Sequence, residues 1–195
     1  NLPVQNFWQK FIEINKTMYT ANAGLAATHP FSSRLHEWPL GSRPIYYWNK
    51  TDASTQKSAD IWLIGNPVSW LLAAFAVFIT LFKIPFKFGL RVFSAESRRR
   101  FNEITFLLIL GYFANLLPFI FVGRVAFLYH YLPALTFALI LLAIKIDRML
   151  GPRKSPLIFL GLLILSFLIL TPLSYGLPMS QKILELEQMI VRFFG

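Results

Sequence analysis

The sequence predicts an all-α membrane protein: four transmembrane helices with an amphipathic interfacial helix at each end. Composition points there first. Of 195 residues, 55% are hydrophobic and 16% aromatic, whereas soluble domains hold about 45–50% apolar residues even when glycine is counted. Four long apolar segments follow, roughly Ile61–Phe82, Ile104–Val122, Ala126–Ile146 and Leu157–Leu177. Each reaches the ~20 residues that cross a ~30 Å hydrocarbon core as helix. The third observation is where the charge lies. Lys83, Lys87, Arg91, Arg98, Arg99 and Arg100 fall between the first and second spans, and Arg148, Arg153 and Lys154 between the third and fourth. Short loops rich in Lys and Arg mark the cytoplasmic side.

That distribution assigns the net charge of +10 to topology and anionic lipid rather than to nucleic acid. It places residues 1–60, the Gly123–Val125 turn and residues 178–195 outside the cytoplasm. The absence of cysteine excludes disulfides and thiolate metal sites. The chain opens at Asn1 with neither methionine nor a signal peptide, and so reads as a processed or incomplete piece of something longer.

Residues 1–28 contain the first amphipathic helix. Phe7, Phe11, Ile14 and Met18 recur at four, three and four residues and share one stripe, too short and too polar to span. This helix either lies on the membrane interface or packs on a partner domain. Residues 29–60 form an extracytoplasmic loop. Pro30, Pro39 and Pro44 interrupt any helix there, and the loop gathers His29, Arg34, His36, Glu37, Trp38, Arg43, Tyr46, Tyr47 and Trp48. Rings cover the apolar faces of sugars, and guanidinium grips anionic oxygen. An interfacial aromatic belt accounts for the Trp and Tyr residues but not for the histidines, arginine and glutamate among them. Residues 49–60 are polar and read as an exposed tip, with Asn49-Lys-Thr51 matching a glycosylation sequon.

Residues 61–177 hold the four spans. Gly65-Asn66-Pro67 reads as a helix break near the outer end of the first, and Pro118 bends the second. Asn115 is the one strongly polar side chain deep in a span, suited to an interhelical hydrogen bond; a transporter would need more. Gly123-Arg124-Val125 joins the second and third spans as a tight turn. It leads into Tyr129-His130-Tyr131, so an arginine, a histidine and two tyrosines stand at the mouth of an apolar run, where ionisable groups are costly and usually functional. Residues 178–195 form the outer amphipathic helix, with Ile183, Leu186, Ile190 and Phe193 on its apolar stripe.

Several of these motifs, in order, resemble one family. His29-Pro-Phe-Ser-Ser-Arg34 with Glu37-Trp-Pro39, Arg43-Pro-Ile-Tyr-Tyr-Trp48, Gly65-Asn-Pro67, Arg124 followed by Tyr129-His-Tyr-Leu-Pro133, and Pro172-Leu-Ser-Tyr-Gly176 are similar to the carboxy-terminal four-helix region of protein O-mannosyltransferases. The resemblance runs from about residue 7 to residue 178. It implies part of a GT-C type glycosyltransferase that moves mannose from polyprenyl- or dolichyl-phosphate-mannose to Ser or Thr of translocated proteins, with inversion at the sugar carbon. The membrane is then the cell membrane or the endoplasmic reticulum membrane, with the active side extracytoplasmic.

Family members carry an acidic pair, the presumed general base, in their amino-terminal half. That half is absent here, and neither Glu37 nor Asp60 matches the pair. Leu35-His36 also stands where relatives more often have an aromatic residue. The chain is therefore expected to be inactive without an amino-terminal half or partner subunit. Arg124, with His130, Arg34 or Arg43, is expected to bind the lipid phosphate, and Tyr129 and Tyr131 the donor. His29, His36, Glu37 and Trp38 are expected to serve the acceptor or the loop. No catalytic residue is assigned, and a divalent metal stays open as a cofactor without a residue assigned to hold it. The rival is a non-catalytic scaffold or dimerisation subunit of such a complex.

Overall fold

The computed structural model describes residues 6–23, 28–82, 95–150 and 155–194. Of the basic residues expected to set topology, Lys83, Lys87, Arg91, Arg153 and Lys154 lie outside the described residues. The fold is mostly helical. Helix α1 covers Phe7–Ala23, α2 Pro67–Leu81, α3 Ala95–Leu116, α4 Leu132–Leu150, α5 Ser155–Tyr175 and α6 Gln181–Phe194. Among the described residues, Asn102–Phe121, Leu128–Arg148 and Leu157–Tyr175 are long and apolar enough to cross a membrane. The 15 residues of α2 rise about 22 Å at ~1.5 Å each.

The polar loop folds into a sheet that the helical expectation did not contain. Strands β1 (Ile45–Asp52) and β2 (Lys57–Leu63) form an antiparallel hairpin, and the short β3 (Met179–Ser180) pairs with the start of β2. Tyr46, Trp48, Ile61 and Trp62 supply the aromatic and β-branched side chains that suit a pleated surface. The register shifts between Tyr46 and Trp48, so Tyr47 is the extra residue of a bulge. Residues 49–60 are thus hairpin rather than a structureless tip. Ser58, Ala59 and Asp60 are buried.

The hairpin also moves the start of the first membrane helix. Ile61–Leu63 belong to β2, and Gly65-Asn66-Pro67 begins a helix rather than breaking one. Asn66 is the N-cap: its Oδ1 accepts from the backbone N–H groups of Val68 and Ser69 at 3.1 and 3.2 Å. Pro67 follows at a position where a missing N–H is harmless. The Asn66 amide also donates to the Leu163 carbonyl at 3.1 Å, tying the head of α2 to α5. Gly65 is required by a close approach. A Cβ there would lie 2.0 Å from Cε3 of Trp70.

The core lies between α2, α3 and α4. Ala73 and Ala76 of α2 and Ala134 and Ala138 of α4 are buried, and small residues of this kind let membrane helices approach closely. Gly111 of α3 admits the ring of Phe137 in the same way. Asn115 donates to the Gly111 carbonyl one turn earlier, at 2.8 Å; among the described residues no bond to another helix is seen for it. Most of α5 and the outer faces of α2 and α3 present Leu, Ile and Phe outward, as spans facing lipid do. No residue of α1 is buried.

Candidate functional site

The segment between α3 and α4 is longer than a tight turn. A short 3-10 helix (Leu117–Phe121) ends α3, the chain runs without regular structure from Val122 to Phe127, and a second 3-10 turn (Leu128–Tyr131) leads into α4. Pro118 lies in the first 3-10 helix and thus ends the α-helix instead of bending it. The extended run lies beside the loop of residues 28–36, and the Ser33 N–H donates to the Ala126 carbonyl at 2.9 Å. The two segments enclose an open cavity of about 720 Å³.

This cavity collects much of what the sequence singled out. His29, Arg34, His36 and Trp38 from the loop, and Arg124 from the connection, all line it, with Phe119 on the helical side. No Asp or Glu is among the lining residues. Arg124 is exposed, and its Nη1 donates to the Asn22 Oδ1 at 2.9 Å, joining the end of α1 to the rim. One neutral amide satisfies one of five guanidinium N–H groups. Among the described residues no carboxylate pairs with Arg124 or Arg34, so the cavity carries uncompensated positive charge.

Trp38 forms the floor. It has no exposed surface. Its Nε1 donates to Ser33 Oγ at 2.8 Å, and its carbonyl accepts from Trp70 Nε1 at 2.6 Å. Glu37 braces the loop: its Oε2 accepts from the Arg34 N–H at 2.6 Å, and its Oε1 lies 3.6 Å from Arg43 Nε. The Arg43 backbone sits in the left-handed region at φ 63°. That conformation and the ion pair with Glu37 turn Arg43 to the loop's support, and it does not line the cavity.

Three other expected site residues are placed differently from the sequence reading. His130 is half-buried behind the floor, stacked on Tyr129 with ring centroids 4.3 Å apart and on Trp38 at 6.1 Å. The Phe127 N–H donates to its Nδ1 at 3.1 Å. Its ring is committed to packing. Tyr131 is fully buried, its hydroxyl 3.2 Å from that of Tyr112, and it lines neither cavity wall nor rim. Tyr129 is exposed but stacks on Phe127 and His130, outside the cavity lining. The α-helix begins only at Leu132, so of the four-residue series Phe127, Tyr131 and Leu135 the first two precede it and only Leu135 lies within it. Among the described residues no group of three His, Asp or Glu side chains is placed to hold a metal ion.

Sequence reasoning missed a second pocket, of about 400 Å³, between the hairpin and α6. Asp60 is buried there, and its Oδ2 accepts from Gln188 Nε2 at 3.0 Å. The alternation Ser58-Ala59-Asp60-Ile61-Trp62 is the signal that could have revealed it. Helix α6 packs Leu184, Glu187, Gln188 and Val191 towards the sheet and leaves Ile183, Leu186 and Phe193 exposed. The apolar stripe read from sequence thus points largely outward, with Ile190 partly buried.

Fold and cavity together define a multi-span membrane protein with a cationic pocket at one end of its helices. The family model for the C-terminal four-transmembrane region of protein O-mannosyltransferases matches residues 7–191, and the chain belongs to that family. It is 36% identical over 149 residues to dolichyl-phosphate-mannose–protein mannosyltransferase 1 of Candida albicans, an alignment covering 73% of this chain and 16% of that protein. It is 33% identical over 149 residues to protein O-mannosyltransferase 1 of Drosophila pseudoobscura pseudoobscura, covering 74% and 16%. The fold is similar to the Saccharomyces cerevisiae protein O-mannosyltransferase Pmt1-Pmt2 complex bound to the sugar donor. The TM-score is 0.76 at 24% identity, over 96% of this chain and 27% of that one. The chain thus spans well under a third of the length of the relatives it matches.

Proposed function

We propose that this chain is the carboxy-terminal part of an enzyme moving mannose from polyprenyl- or dolichyl-phosphate-mannose to Ser or Thr hydroxyls of translocated proteins, on the extracytoplasmic side of the membrane. The observation that carries this reading is the cavity lined by Arg34, Arg124, His29 and His36 without a carboxylate, at the end of helices with outward-facing apolar side chains. A lipid-phosphate donor needs that pairing: cations for its head and an apolar wall for its tail.

In an inverting transfer the acceptor hydroxyl attacks the sugar carbon, a base takes its proton, and the lipid phosphate departs with its negative charge. Arg124 and Arg34 hold that phosphate and steady the charge as the bond breaks. Trp38, fixed by Ser33 and Trp70, keeps the floor rigid, and Glu37 with Arg43 holds the loop in place. His130 positions Trp38 by stacking and does not touch the donor. The base comes from the amino-terminal half that family members carry. Membrane lipid, that half or an equivalent subunit, and the acceptor protein are the partners.

The test is Arg124→Ala in the full-length enzyme. A charge-assisted hydrogen bond is worth about 1.5–3 kcal/mol, so kcat/KM for the donor should fall roughly 10- to 100-fold. Arg124→Lys should recover part of it, and expression and membrane insertion should be unchanged. Turnover equal to wild type would refute the assignment.

A further inference from the structure

The second pocket holds polar chemistry that the donor site leaves unused. Asp60 is 5% exposed, and Gln188 donates to one of its two oxygens. Among the described residues the buried Trp62 Nε1 has no hydrogen-bond partner, a donor that protein interiors seldom leave unpaired. Burial first, and then the nearby Asp60 charge, push the Tyr46 hydroxyl above its usual range, against a hydrogen bond from the Asn49 side chain, so it keeps its proton and can donate. The Asn49 amide also lines this pocket. Three rings converge on it: Tyr46 and Trp62 with centroids 4.8 Å apart, and Phe31 at 6.0 and 5.9 Å from them.

A lone cation would need only acceptors and ring faces. Here donors outnumber the single carboxylate. A mixed set of donors, acceptors and ring surface fits a ligand that offers hydroxyls as both donors and acceptors around an apolar face. The loop of residues 28–36 gives this pocket its neighbour: His29, Pro30, Ser32 and Ser33 line the cationic cavity, while Phe31 lines the second pocket. The two stand back to back across one strand of chain.

We infer that the pocket around Asp60 and Trp62 binds a hexose, namely a mannose already attached to the acceptor near the hydroxyl to be modified. The choice of mannose rests on the proposed transfer reaction; the preference for a polyhydroxyl ligand does not. A mannosylated acceptor would be held at this pocket while its next Ser or Thr reaches the donor.

The test compares two peptides of one sequence, bare and carrying a single α-mannose on Ser, titrated against full-length enzyme without donor. The mannosylated peptide should bind at least fivefold more tightly. Asp60→Asn, which keeps size, and Trp62→Phe, which keeps an aromatic ring but removes the indole N–H, should each bring that ratio close to one while leaving the bare peptide's affinity unchanged. Equal affinities in the wild type, or a ratio that survives both substitutions, would overturn the inference. So would a lysine-bearing bare peptide whose binding Asp60→Asn weakens instead, since that outcome makes the pocket a cation site. Transfer to bare peptide is assayed separately, and its absence would count against the transfer reaction without touching the binding ratio.

Discussion

At the scale of single residues, burial separates side chains that the sequence groups together. Arg124, His130, Tyr129 and Tyr131 stand within eight positions of one another, yet only Arg124 lines the cavity. The reason is backbone geometry: the 3-10 turn over Leu128–Tyr131 rotates Tyr131 into the core and His130 behind Trp38. A 3.6-residue period carries no information about such a turn. The cationic residues of the loop were legible because no core packing explains His29 beside Pro30 and Arg34 and His36 between Pro30 and Pro39. Glu187 was not legible, since its neighbours in α6 fit an exposed polar face. It is 7% exposed, and among the described residues its Oε2 has no hydrogen-bond partner. Burial raises its pKa above the usual 4.5, so the folded state binds this proton more tightly than the unfolded chain. Stability therefore falls as pH rises above about 4.5 towards the raised value. Glu187→Gln should remove that dependence and raise the melting temperature at pH 7, measured by thermal unfolding. A variant whose pH profile matches wild type would show that Glu187 stays ionised.

At the scale of elements, α2 and the hairpin illustrate how far apolar patterning reaches. The run from Ile61 to Phe82 is apolar but for Asn66, Ser69 and Thr80, so periodicity alone does not divide strand from helix. The division is made by Asn66 and Pro67 as cap and first helical residue, and by Gly65, whose missing side chain admits the Trp70 ring. Gly65→Ala would drive a methyl group into that ring. Overpacking of this kind costs about 1–3 kcal/mol, and Trp70 is the hydrogen-bond donor that holds the Trp38 carbonyl. The expected result is a lower melting temperature together with weaker donor binding. Wild-type values for both would mean that the cavity floor does not depend on Trp70. Helix α1 poses the opposite case. Its amphipathic pattern was plain in the sequence, and the structure buries none of it. Phe7, Phe11, Ile14 and Met18 are all more than half exposed, and Asn22 ties the helix to Arg124. We propose that this face lies on the membrane interface.

At the scale of the whole molecule, the membrane class was evident from composition and from four apolar runs, because hydrocarbon imposes a length and a polarity that few other environments do. The sheet was not evident. Its burial comes from contacts between residues far apart in sequence, such as Asp60 with Gln188, and local patterns do not report such pairings. The arrangement that results is a bundle whose helices present apolar surface outward and whose loops gather cations and rings into two neighbouring pockets at one end. The proposed occupant of the larger one is a lipid-phosphate sugar.

The most direct measurement of that central claim is a cryo-electron microscopy structure of the full-length enzyme with dolichyl-phosphate-mannose bound. The phosphate should lie between Arg124 and Arg34, within hydrogen-bonding distance of at least one guanidinium, with the lipid running along the outward apolar faces. Well-resolved donor whose phosphate touches neither arginine, with the cavity between residues 28–36 and 122–126 filled by protein, would contradict it.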